Sequence, residues 1–184
     1  HEHVVEYGKV RRGWGGSTKR GIAELAEGKR KPGEPVLDPK AHGLGNGVAM
    51  KVAPLALFRC MTIGTPEFMY EVRTLALLTH RDLCAAAGAW CIARWIASML
   101  SDVVDIPTHS HPAAFVKLNE CPVHGPFDAH LVDTEVAISA SVERIAEMTG
   151  TASSVLESVP FVCAVMIKGR EFRHGVLAAV NAGG

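Results

Sequence analysis

The stretch DLCAAAGAWCIARWIASML, Asp82 to Leu100, decides the fold. It is alanine-rich, and Trp90, Ile92, Trp95, Ile96, Met99 and Leu100 distribute apolar surface nearly all round a helix of about 82–104, which belongs at the centre of a helical bundle. Arg94 interrupts the run and Asp102 and Asp105 follow it, so it falls short of the roughly 20 apolar residues of a membrane span. Working outward, Val72, Leu75, Ala76 and Leu78 recur at helical spacing in Met69 to Leu78. Thr65 and Pro66 mark the start of that helix as a cap and a first-turn proline.

Other segments read the same way. Helices are expected from Asp133 to Met148, closed by Gly150, from Ser154 to Lys168, closed by Gly169, and from Arg170 to Asn181. Ser17 is read as the cap of a helix through Glu27 that ends at Gly28. Pro54 makes the segment between Val48 and Cys60 either two short helices or one kinked helix. No strand pattern and no repeat is found. Loops rich in proline cover 29–40 and 106–130, and the expectation is an all-α multi-helix bundle.

The 184 residues fit a single domain, 1–184. Nineteen basic residues balance nineteen acidic ones and 48% of the chain is apolar, which argues against disorder and against an electrostatic nucleic-acid binder. No nucleic acid or membrane partner is expected. Cys60, Cys84, Cys91, Cys121 and Cys163 are odd in number and lack C-x-x-C spacing. Cys84 and Cys91 lie roughly 10 Å apart along one helix, too far for a disulfide, so reduced thiols and a cytoplasmic setting are expected.

Two glycine clusters carry the chemistry. Gly13-Trp14-Gly15-Gly16-Ser17-Thr18 and Gly43-Leu44-Gly45-Asn46-Gly47 each lie where a loop meets a helix. Glycines there permit positive φ and close approach of backbone N–H groups, and a helix start favours anions, so together the clusters can cradle a diphosphate without a lysine. Neither is a Walker loop or a dinucleotide fingerprint, and each alone is also explained as a flexible turn. His80, between two helices and flanked by Thr79 and Asp82, either donates to a ligand or caps and packs.

His109, His111, Cys121 and His124 are zinc-ligand types, but the spacing matches no zinc module and a solvated His/Pro-rich loop explains them better. The pairs Asp102 with Asp105 and Asp128 with Asp133 are explained by helix ends unless the fold converges them.

In order along the chain, these residues resemble a family. Gly43 to Leu57 resembles the G-x-G-N-G-x-x-M-R/K-x-x-P core of the ADP-ribosylglycohydrolases, the family of dinitrogenase reductase-activating glycohydrolase. Leu77-Leu78-Thr79-His80 resembles its S/T-x-x-T-H, Gly13 to Thr18 its glycine-aromatic-glycine loop, and Ala178 to Gly184 its A-A/V-N-x-G-G. The resemblance implies an all-α domain that hydrolyses the N- or O-glycosidic bond of an ADP-ribosyl group on a protein or small molecule, with two magnesium ions. It implies that Gly13, Gly15, Ser17, Gly43, Gly45, Asn46, Gly47 and His80 bind the substrate.

The family's early glutamate and T-D-D cluster would precede His1 and its D-x-D-T would follow Gly184. The chain therefore reads as a partial domain truncated at both ends, with no catalytic residue and no metal ligand of its own and inactive alone, the hydrolase being the full-length parent. The alternative is a non-catalytic, crystallin-like or ADP-ribose-binding member of the same family.

Overall fold

Alanines set the centre of the molecule. A computed structural model describes residues 15–32, 43–62, 65–101, 130–169 and 172–182. Its helices are α1 (Gly16–Ala26), α2 (Gly47–Lys51), α3 (Ala53–Phe58), α4 (Pro66–Leu77), α5 (Leu83–Ser101), α6 (Thr134–Ser139), α7 (Val142–Thr149), α8 (Val155–Gly169) and α9 (Phe172–Asn181), with a 3₁₀ turn at Cys60–Thr62. Along α5, Ala85, Ala86, Ala87, Ala89 and Ala93 are buried with hardly any exposed surface. Side chains this short let other helices approach closely, and α2, α3, α4 and α8 all pack on α5. In turn α6, α7 and α9 pack on α8. No strand occurs among the described residues, and the one extended pairing is an isolated bridge between Gly45 and Ser154. The chain is all-α, as its helical spacing demands.

Large side chains fill the space the alanines leave. Phe68 of α4 meets Trp90 of α5 with ring centroids 5.5 Å apart and planes tilted by 45°, a favoured aromatic arrangement. Arg94, the charge inside the apolar run, sets its guanidinium carbon 5.9 Å from the Trp90 ring centroid and so keeps a partner where water is scarce. Cys84, Cys91 and Cys163 are buried, and all four described cysteines are free thiols. Burial pushes Cys163 up to about 12, against a hydrogen bond from Trp95. It is an inert core thiol.

Caps explain where several elements start. Thr65 accepts from the Phe68 amide and Pro66 opens α4, as expected. Asp82 Oδ1 accepts from Cys84 N at 2.8 Å at the head of α5. Within α4 the buried apolar set is Phe68, Val72, Ala76 and Leu77, whereas Leu75 and Leu78 are half-buried. Pro54 yields two short helices: it has no N–H to give to Met50 one turn back, and Val52 separates α2 from α3.

Three expectations are corrected. The helix anticipated from Asp133 to Met148 is two, because Ala140 is extended and Ser141 caps a fresh start by accepting from Arg144 N at 3.1 Å. Gly15, not Ser17, is the N-cap of α1, which places Ser17 inside the first turn. The positive φ expected of the two glycine clusters is absent from their described members. The described positive-φ glycines are Gly28 and Gly150, which follow α1 and α7. Asp133 does sit at a helix end, accepting from Glu135 N at 2.8 Å, while Asp102, Asp105 and Asp128 lie outside the described residues. So do Gly13 and the candidate zinc set His109, His111, Cys121 and His124.

Candidate ligand-binding site

The start of α1, the loop leading into α2 and the α4–α5 junction meet at one imidazole. His80 lies in that junction and is 2% exposed. A Cβ added to Gly45 would lie 3.6 Å from His80 Nε2 and 3.9 Å from Ser17 Oγ, and one added to Gly47 would lie 3.8 Å from His80 Cε1. Ser17, Gly45, Gly47 and His80 are therefore neighbours, although 63 positions separate the first from the last. These are ordinary van der Waals distances, so packing does not itself require glycine at 45 or 47. Gly43 differs: its Cβ would fall 2.5 Å from Arg81 N, and there glycine is needed for closeness. Gly15 and Gly16 meet nothing within 4 Å, so no packing contact requires glycine there.

The loop is held from its other side by α8. Asn46 N donates to Ser153 O at 2.9 Å and Val155 N to Leu44 O at 2.6 Å. Asn46 thus spends its backbone N–H on the protein. Its side chain lines a cleft with Ala49, Met50, Ile92, Ser158, Val159 and Val162, a set that does not include His80. Of the substrate residues expected from the sequence, Ser17, Gly45, Gly47 and His80 come together, and Gly15 caps α1 two positions before Ser17 with nothing within 4 Å of its Cβ position. Gly43 braces the loop against Arg81, and Asn46 turns toward α8.

Beneath the loop lies a charge cluster that sequence reading missed. Arg30, 5% exposed, donates through Nη1 to Leu77 O at 2.9 Å and to His80 O at 3.1 Å, and through Nε to Glu24 at 3.1 Å. Glu24 also pairs with Arg81, so α1 is clamped onto the α4–α5 junction by an Arg–Glu–Arg triad. Lys51, at the end of α2, donates to Thr79 Oγ1 at 2.5 Å, and Thr79 Oγ1 lies 2.9 Å from His80 Nδ1. Burial, then the positive charge of Arg30, brings Lys51 down to about 8. Burial first, then Lys51 and Arg30, pushes His80 down to about 4, against a hydrogen bond to the Gly45 backbone. The imidazole is neutral at pH 7.

The electrostatic sense is positive. Among the described residues around the site Lys51, Arg30 and Arg81 outnumber Glu24 and Asp82, and the positive end of the α1 dipole lies beside it. The motif position R/K that Lys51 occupies, and the threonine before His80, carried a readable signal for the Lys51–Thr79 and Thr79–His80 contacts. Nothing in the run Lys29-Arg30-Lys31 marks Arg30 as the one that turns inward.

Metal is a separate matter. Among the described residues no three His, Cys, Asp or Glu side chains stand together as a metal site would require. The acids nearest the loop are engaged, Glu24 by two arginines and Asp82 by a helix amide. The described residues do not fit a magnesium centre, and no step is routed through one here.

An all-α bundle is the fold the sequence resemblance implied. The family model for ADP-ribosylglycohydrolase matches residues 2–184, and the chain belongs to that family. It is similar to the Escherichia coli (strain K12) protein YegU, itself described as uncharacterized, at 24% identity over 157 residues, covering 79% of this chain and 46% of that protein. The chain thus spans about half the length of the curated relative it matches. No solved structure matches it significantly. No described helix is long and apolar enough to cross a membrane.

Proposed function

We propose that residues 1–184 form a single partial domain that supplies the ADP-ribose-binding half of an ADP-ribosylglycohydrolase, whose reaction is hydrolysis of an N- or O-linked ADP-ribosyl group. The observation that carries this reading is the convergence of Ser17, Gly45 and Gly47 on His80 above a net positive floor. A diphosphate needs donors and positive potential, and the first turn of α1 with the cations below supplies both. Gly15 and Gly16 have no packing reason to be glycine, which fits close approach of a ligand to that turn. The Ser17 hydroxyl is suited to hydrogen-bond ribose or phosphate oxygens, and His80, through its hydrogen bond to the Gly45 backbone, holds the glycine loop in place beside it.

The residues described here bind and orient; none is assigned a catalytic role. The two magnesium ions expected for the family would have ligands beyond the described set, and the ADP-ribose would be carried by a protein or small molecule. Four free thiols fit a reducing, cytoplasmic setting.

The test is calorimetric titration of ADP-ribose into the 184-residue chain. Saturable one-to-one binding is expected, weakened about tenfold or more by His80→Ala and by Gly45→Val. The first removes a buried donor and the second fills the approach to Nε2. Absence of saturable binding to folded wild-type protein overturns the reading. For the reaction, a polypeptide extended at both ends is expected to release ADP-ribose from a modified substrate only when magnesium is supplied.

A further inference from the structure

We propose that Lys51 and Thr79 are positioning residues that lock the tautomer of His80, so that the ring is held as an Nε2–H donor toward the glycine loop and is unavailable as a base there.

A lysine ammonium has three donors and no acceptor, so across the 2.5 Å contact Thr79 Oγ1 is the acceptor. The threonine hydroxyl has a single hydrogen, and the other partner of Oγ1 is His80 Nδ1 at 2.9 Å. Oγ1 has two lone pairs, so the direction of the Nδ1 contact is set from the other side of the ring. Nε2 faces Gly45, whose backbone accepts a ring hydrogen, and a neutral ring has only that one, so the hydroxyl donates and Nδ1 accepts. A neutral imidazole carries one N–H, which must then be on Nε2. The Gly45 backbone accepts from that side. Lys51, Thr79, His80 and Gly45 thus form a line of donors running in one direction, from α2 through the α4–α5 junction to the loop.

Burial makes the line binding on the ring. His80 is 2% and Thr79 9% exposed, so water does not offer either group an easy substitute partner. Lys51, brought down only to about 8, is still mainly a cation at pH 7. With Nδ1 occupied and Nε2 protonated, His80 has no lone pair to take the Ser17 proton, although Ser17 Oγ and His80 Nε2 flank the same point at Gly45. A hydroxyl beside a histidine suggests nucleophile and base; the lock excludes that pairing. The tautomer stands whatever the ligand is, and only its consequence for ADP-ribose rests on the function proposed above.

The experiment is long-range proton–nitrogen NMR on the whole chain labelled with ¹⁵N-histidine at pH 7, with His80→Gln identifying the signal. Wild-type protein is expected to show the Nε2–H pattern alone. In Thr79→Val, which has no hydroxyl to donate to Nδ1, and in Lys51→Met, whose freed threonine hydroxyl can turn to a carbonyl of the preceding turn, the lock is removed and a tautomer-averaged pattern is expected. Thr79→Ser and Lys51→Arg are expected to keep the Nε2–H pattern, a rescue that loss of packing alone would not give. An Nδ1–H or averaged pattern in wild type overturns the proposal, as does an unchanged pattern in both Lys51→Met and Thr79→Val. Should those two variants fail to fold, the wild-type spectrum decides: Nε2–H alone upholds the lock. No ligand is used, so failure here is distinct from failure of ADP-ribose binding.

Discussion

His80 remains neutral well into the acid range because burial, and then Lys51 and Arg30, oppose a second ring proton. This ties stability to pH with a definite sign. Above about pH 6.5 the ring is neutral in folded and unfolded chains alike and contributes no slope. Between about 6.5 and 4 the unfolded chain takes up a proton that the folded chain refuses, so stability falls as pH falls, by roughly 1.4 kcal/mol per pH unit. Below about 4 the loss is complete, on the order of 3 kcal/mol. Urea unfolding of wild type and His80→Asn at pH 7 and pH 4.5 checks this: the wild-type protein is expected to lose more of its stability between those values than the variant does. Equal losses would show that the ring already takes up its proton in the folded protein.

At the scale of elements, two glycines of α1 give opposite expectations. A Cβ at Gly21 would lie 2.6 Å from Thr79 Cα and 2.9 Å from the Leu78 and Thr79 carbonyl oxygens, all backbone. Alanine normally helps a helix interior by about 1 kcal/mol, but pushing α1 off the junction costs about 1–3 kcal/mol, so Gly21→Ala should destabilise the protein. Gly16→Ala, facing open space in the first turn, should be neutral or slightly stabilising. Thermal melts of the two variants compare them directly. The break between α6 and α7 offers a second check, since Ser141→Ala removes the acceptor for Arg144 N and should cost about 1 kcal/mol. That break was legible: Ser139-Ala140-Ser141 holds a cap residue inside an otherwise helical pattern, and the apolar spacing on either side concealed it.

Across the whole molecule, the Arg30–Glu24–Arg81 triad joins α1 to the junction that carries His80. Arg30→Ala leaves the Leu77 and His80 carbonyls without a donor and Glu24 with a single arginine. A loss of about 2–4 kcal/mol in chemical denaturation is expected, with ADP-ribose binding weakened alongside it. Arg30→Lys should not restore it, because one ammonium cannot reproduce the planar fork that reaches two carbonyls and a carboxylate. Full stability in Arg30→Lys would show that charge alone suffices.

The sequence by itself determined the helical class, through apolar spacing and the alanine-rich run of α5, and it determined most of the site through residues local to two motifs. Gly43 to Gly47 and Thr79-His80 are short segments whose chemistry can be read in place, and Lys51 follows the first of them by four positions. Tertiary structure decided what those residues touch. Asn46 turned to α8 because its amide met the Ser153 carbonyl, and Ser17 met Gly45 because a triad pulled α1 onto a junction some 60 residues away. Arg30 became the buried cation rather than Lys29 or Lys31 for the same reason: a long-range hydrogen bond depends on where two distant backbones cross, and no local pattern encodes that crossing.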